Sequence, residues 1–245
     1  MKMICRLLLL SLVGSACASC DGSDPEPFDL SAIEGLVAYY PFDGGAQDRS
    51  GGANDGEVSG ARLTRDRFGQ ARSAFAFDGV DDVIVIPHTE NLDVGRSGRG
   101  YSVSLWVRGQ DPVRSRILQK WDEQNRTPYP FSVRAEPNNL NGVIYDAGQL
   151  FPVVAPEPWD GRWHHVALVV DAADETARLL LDGALTSTHA LALAGPTSNT
   201  SALYIGGGAG VDRYFRGEID DIRIFDRPLT GDAIVHLYRE GGWAR

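Results

Sequence analysis

From Leu36 onward, apolar and polar positions alternate with a period of two in short runs separated by turn residues. That is the pattern of β-strands with one face buried. It predicts strands at Leu36–Phe42, Gly56–Val58, Ala74–Phe77, Val83–Ile86, Tyr101–Arg108, Arg116–Trp121, Phe131–Arg134, Gly142–Tyr145, His164–Asp171, Ala177–Leu181, Leu203–Gly206 and Glu218–Phe225. Asp-Gly pairs at 43–44, 55–56, 78–79, 160–161 and 182–183 tolerate the backbone angles of tight reversals. Leu180–Leu185 therefore reads as a hairpin with Asp182-Gly183 at its tip. Only Thr230–Tyr238 reads as a helix, with Thr230 as its cap, Pro228 before it, and Ile234, Leu237 and Tyr238 on one face. Many short strands without βαβ alternation predict an all-β antiparallel two-sheet sandwich in one domain.

The first twenty residues stand apart from this pattern. Lys2 and Arg6 precede an uncharged apolar run, Leu7–Val13, too short to span a bilayer, and the small residues Gly14-Ser15-Ala16 then lead into Cys17. This is a bacterial secretory signal. The cysteine placement is similar to a lipoprotein lipobox, with Cys17 or Cys20 as the lipidated residue and a plain cleaved signal as the alternative. Residues 21–32 would form a tether, its Asp21–Phe28 stretch polar and proline-containing, and 33–245 the domain. All three cysteines (Cys5, Cys17, Cys20) lie in the leader, so no disulfide or cysteine zinc site can form after residue 20.

The leader carries two of the 23 basic residues and none of the 33 acidic ones, leaving −12 on the exported part. Such a surface disfavours nucleic acid and anionic membranes and suits neutral sugars or divalent cations.

Eight segments occur in a recognisable order: Gly35–Gly44 (GLVAYYPFDG), Asp48–Gly51 (DRSG), Phe75–Asp82 (FAFDGVDD), Val103–Val107 (VSLWV), Trp163–Val166 (WHHV), Leu180–Gly183 (LLDG), Leu203–Gly206 (LYIG) and Ile219–Phe225 (IDDIRIF). Together they resemble the LamG-like jelly-roll domains of the concanavalin A-like lectin/glucanase superfamily, over about residues 33 to 240. The resemblance implies two curved antiparallel sheets and, usually, a binding or adhesion module. The superfamily also includes glycosidases with a Glu-Ile-Asp-x-x-Glu strand, whose outer glutamates act as nucleophile and acid. Here Glu218-Ile219-Asp220 keeps the first glutamate, but Arg223 occupies the second position, and a guanidinium cannot donate the catalytic proton. The expectation is therefore no enzyme.

Period two places Asp220 on the face of Ile222 and Ile224, where a lone carboxylate needs a partner. With Asp43, brought near by the first-to-last strand pairing the fold implies, and with Asp78 and Asp82, it could supply oxygens to a structural Ca²⁺. Turn aspartates bonded to backbone amides are the alternative. The adjacent His164 and His165 point to opposite faces and cannot share one metal, and Trp163 should pack the sandwich. The run Gly206–Gly210 lacks the helix and Lys-Ser/Thr of a phosphate loop. For sugar contact the candidates are the loop and strand-end aromatics Trp121, Tyr129, Tyr145, Trp159 and Tyr214. Lys120, Asp122, Asn125, Asn138 and Asn139 would orient hydroxyls; the alternative is that the aromatics cap the sandwich ends. The resulting expectation is an exported non-catalytic module binding a glycan or a glycosylated cell-surface protein. An adhesion module for an envelope protein and a glycoside hydrolase are the other readings.

Overall fold

A computed structural model describes residues 34–110, 113–121, 131–146, 149–192, 197–208 and 212–243. Cys17, Cys20, the tether and Tyr129, with Asp122 and Asn125, lie outside them. The strands are β1 (Leu36–Tyr40), β2 (Glu57–Ser59), β3 (Arg62–Arg65), β4 (Ala71–Asp78), β5 (Val83–Ile86), β6 (Gly100–Gln110), β7 (Ser115–Gln119) and β8 (Ser132–Glu136). They continue with β9 (Asn139–Asp146), β10 (Gln149–Pro156), β11 (Asp160–Asp171), β12 (Thr176–Leu181), β13 (Ala184–Ala190), β14 (Leu203–Ile205) and β15 (Arg216–Phe225). One helix, α1 (Gly231–Arg239), follows, its first turn capped by the Thr230 hydroxyl accepting from the Ala233 amide.

These strands build two antiparallel sheets. The first has the order β13-β12-β11-β6-β15-β4-β3, with β1 pairing the second half of β15; the other runs β10-β9-β8-β7-β14-β5-β2. Two strands had no alternating signature. β3 (RLTR) is a polar edge strand, and β10 carries Pro152 and Pro156, which an edge strand tolerates because its outward amides need no ladder partner.

The core lies between the sheets. Val103, Leu105 and Val107 of β6 and Val166 and Leu168 of β11 meet Ile117, Leu118 and Val133 of the facing sheet. A second, smaller layer covers the outer face of the first sheet, where Ile234 and Leu237 of α1 pack on Ala167, Val169 and Phe225. Gly206 follows β14 with φ +79°, and a Cβ there would penetrate the Phe77 ring. Gly206→Ala is expected to destabilise the fold by about 1–3 kcal/mol, read from denaturant midpoints, since strain and overpacking act together.

Candidate functional site

Period two fails once in β15, and that failure shapes the site. Ile219 faces the core, but the pairing with β6 slips between Asp220 and Arg223, and Asp221 takes a positive φ of 55°. This β-bulge resets the alternation, so Ile222 and Ile224 return to the core while Glu218, Asp220 and Arg223 all face outward. Asp220 thus sits on the outer face rather than among the core isoleucines.

On that face Asp220 meets Arg67, whose Nη1 lies 3.1 Å from its Oδ2, while Arg67 Nη2 lies 2.7 Å from Asp221. The Arg67 guanidinium also stacks 4.6 Å over Trp106 and 4.5 Å over Phe68. Arg223 bridges Asp221 at 3.0 Å and Glu240 at 2.8 Å and lies 4.3 Å over the Tyr39 ring. Two guanidiniums thus face three carboxyls in a buried layer, an excess of one negative charge that retention of a proton relieves. Burial, then the neighbouring Asp221, push the Asp220 carboxyl up to about 8 against the pull of Arg67. Burial raises Glu240 as well.

A carboxyl whose folded pKa is raised contributes stability that is complete below its ordinary pKa and is lost as pH rises through the folded value. His165, held near 3 mainly by burial, acts in the opposite sense below its ordinary value of 6.5. Between about pH 6.5 and 8, therefore, stability is expected to fall, by more than about 1 kcal/mol, and Asp220→Asn should flatten the urea-midpoint profile.

The larger opening lies one step toward the start of β15. It is a polar cleft of about 550 Å³ with Arg108, Gln110, Arg216 and Glu218 in its lining, over a floor that includes Ala76. Glu218 is ion-paired with Arg108 directly across the strand pair, and Thr64 donates to its other oxygen at 3.4 Å. Arg108 in turn stacks 5.2 Å over Trp163, which belongs to a buried cluster with Ala74 and Trp106 on this outer face rather than to the space between the sheets. The histidines diverge as expected: His164 bridges Asp160 and Asp182, each at 3.0 Å, and His165 lies within 2.8 Å of the Ser104 hydroxyl.

The aromatic candidates do not form one platform. Trp121 and Tyr145 lie at one end of the second sheet, beyond the Gln119–Ser132–Val143 register. Trp159 and Tyr214 lie at the other, where Trp159 donates to the Glu136 carbonyl at 2.9 Å and Tyr214 bridges Arg116. Of these four, Trp159 neighbours the cleft, its ring behind Gly109 of the lining. Asn138 and Asn139 belong to the β8–β9 turn at this end. Lys120 cannot orient a ligand: it is fully buried and hydrogen-bonds Ser201 and Asn199, and burial lowers its pKa to about 8.

The four aspartates also separate. Asp43 and Asp220 line a smaller cleft of about 220 Å³ beside Arg67. Asp78 and Asp82 lie instead with Asp81 in the β4–β5 turn, their oxygens within 4.8 Å of one another. There Asp82 accepts from the Asp78 amide and Asp78 from the Val80 amide, both at 2.8 Å, the turn chemistry weighed above.

The Laminin_G_3 family, described as concanavalin A-like lectin/glucanases superfamily, matches residues 78–235. Among solved structures the chain is similar to the binding domain of Paraclostridial Mosquitocidal Protein 1, with a TM-score of 0.70, 14% identity, and coverage of 84% of this chain and 52% of that one. It is also similar to botulinum neurotoxin type C, whose cell entry depends on interaction with two ganglioside molecules (TM-score 0.66, 16% identity, 86% and 52% covered). A third similar structure is the botulinum neurotoxin DC binding domain in complex with rat synaptotagmin II (TM-score 0.65, 14% identity, 84% and 51% covered). The chain spans about half the length of these structures. Among curated proteins nothing matches.

Proposed function

Since the chain belongs to the Laminin_G_3 family of the concanavalin A-like lectin/glucanases superfamily, we propose that it is an exported, non-catalytic module that binds an extracellular glycan in the cleft over Ala76. The observation that carries this reading is the solvent-reachable Arg108–Glu218 pair with Gln110 beside it. A carboxylate accepts from vicinal hydroxyls, a guanidinium donates to ring and hydroxyl oxygens, and both are preoriented by each other.

Hydrolysis is disfavoured by the same geometry. Among the described residues Glu218 is the only carboxylate in the cleft lining, while Arg223 on the same face is committed to Asp221 and Glu240. Retaining and inverting mechanisms both need a second carboxyl group facing the first across the bond. Release of reducing ends from a polysaccharide panel, abolished by Glu218→Gln, would overturn this part.

Anchoring through a lipidated Cys17 or Cys20 would hold the domain at the bacterial envelope, which radiolabelled fatty-acid incorporation, lost in the serine variants, would test. The function itself is tested by a glycan array probed in Ca²⁺ and again in EDTA. Specific binding supports the reading, and its loss in EDTA would make a divalent cation part of the site, with the Asp78–Asp81–Asp82 turn as the candidate to mutate. Silence of the array with a cooperative melt would transfer the function to an envelope-protein partner.

A further inference from the structure

We propose that the cleft selects glycans bearing an anionic group, a carboxylate or a sulfate, on the sugar ring. This rests on the glycan-binding reading above and narrows it. The strand register sets Arg62, Ala76, Glu218 and Arg108 side by side across β3, β4, β15 and β6, since Arg62 and Glu218 both pair with Ala76 and Glu218 pairs with Arg108. Partners in register share a face, so this row runs roughly 14 Å across the outer surface at about 4.8 Å per strand. Ala76 is its one small member, leaving the floor open between Arg62 and Glu218.

Arg216 stands on the same face two residues before Glu218. The row and its neighbour therefore bring three guanidiniums to two carboxylates, Glu218 and the Asp78 that faces Arg216 in register, in a protein whose formal charge is −10. Glu218 is already engaged by Arg108. Arg62 and Arg216 are exposed and have no hydrogen-bond or ion-pair partner among the described residues. Arg216 faces Asp78 in register, but Asp78 directs Oδ1 to the Val80 amide and forms no ion pair with it. Arg162, at the far rim, is neutralised by Asp160 at 2.5 Å.

Two uncommitted guanidinium forks flanking an ion pair are suited to planar or tetrahedral oxyanions, which they bind bidentately. A neutral sugar would leave both forks to water and engage only Glu218, Arg108 and Gln110. An anionic ring adds charge-assisted bonds to Arg62 or Arg216 while Glu218 keeps a neighbouring hydroxyl, so Glu218 fixes orientation rather than repelling the ligand. Positive charge in a concave site of an acidic protein also concentrates the anion locally.

The test uses the full chain and polymer pairs that share a backbone and differ in charge: polygalacturonate against its methyl ester, and dextran sulfate against dextran. The charged member of at least one pair is expected to bind about tenfold or more tightly than its neutral twin. Arg62→Gln and Arg216→Gln should each remove most of that preference, whereas Arg96→Gln, remote from the cleft, should leave it. Preference confined to the first pair assigns carboxylate, and to the second, sulfate. Equal binding of the twins, or a preference that survives both Arg62→Gln and Arg216→Gln, overturns the anionic selection but leaves glycan binding intact. So does a neutral array hit with neither charged polymer bound. Absence of all glycan binding in a protein that melts cooperatively overturns both.

Discussion

Arg67→Ala is expected to destabilise the fold by about 3–5 kcal/mol, the cost of removing one partner from a buried charge cluster. Arg67 is only 4% exposed and its two nearest ion-pair partners, Asp220 and Asp221, are 3% and 7% exposed, so water is poorly placed to replace the lost guanidinium. The same side chain separates Phe68 from Trp106, and its loss opens a void beneath Trp243, which packs edge-on against both rings. The charge contribution and the packing contribution can be separated. Adding Asp221→Asn to Arg67→Ala removes one orphaned carboxylate and should recover part of the loss in a double-mutant cycle. Equal destabilisation of single and double variants would mean that packing dominates.

Arg108→Ala is expected to weaken the bound glycan by about 2–3 kcal/mol, which is roughly 30- to 100-fold in Kd. Its cost to the fold should be smaller, about 1 kcal/mol or less, because the pair with Glu218 is partly exposed and screened. Both side chains of the pair would change: the guanidinium is gone as a donor, and Glu218 turns toward the vacated space and no longer presents its oxygens to a hydroxyl. Calorimetric titration beside a thermal melt distinguishes this from unfolding. A variant that binds normally would remove the ion pair from the recognition surface.

Much of the sandwich was legible because its determinants are local. Alternation in Tyr101–Arg108 and His164–Asp171 reports two central strands, and Thr230 with its following apolar face reports α1. β3 and β10 escaped because edge strands need neither alternation nor free amides. The site was less visible for a different reason. A bulge at Asp220–Asp221 moves one carboxylate to the opposite face, and no propensity marks that shift except two adjacent aspartates in an apolar run. Their common partner, Arg67, lies more than 150 residues away in the chain, and Glu240, which shares Arg223 with Asp221, lies 17 residues beyond that arginine. Arg62, Glu218 and Arg108 likewise become neighbours only through the β3-β4-β15-β6 order. The aromatic candidates were reasonable as strand-end residues, but chain position could not tell which end each would occupy.

The most direct test of the account is hydrogen exchange across the chain with and without the best glycan from the array. Binding in the cleft predicts slowed exchange at the backbone amides of 108–110 and 216–218, with the Trp121 and Tyr145 end unchanged. Protection at that opposite end, with none along β6 and β15, would contradict it.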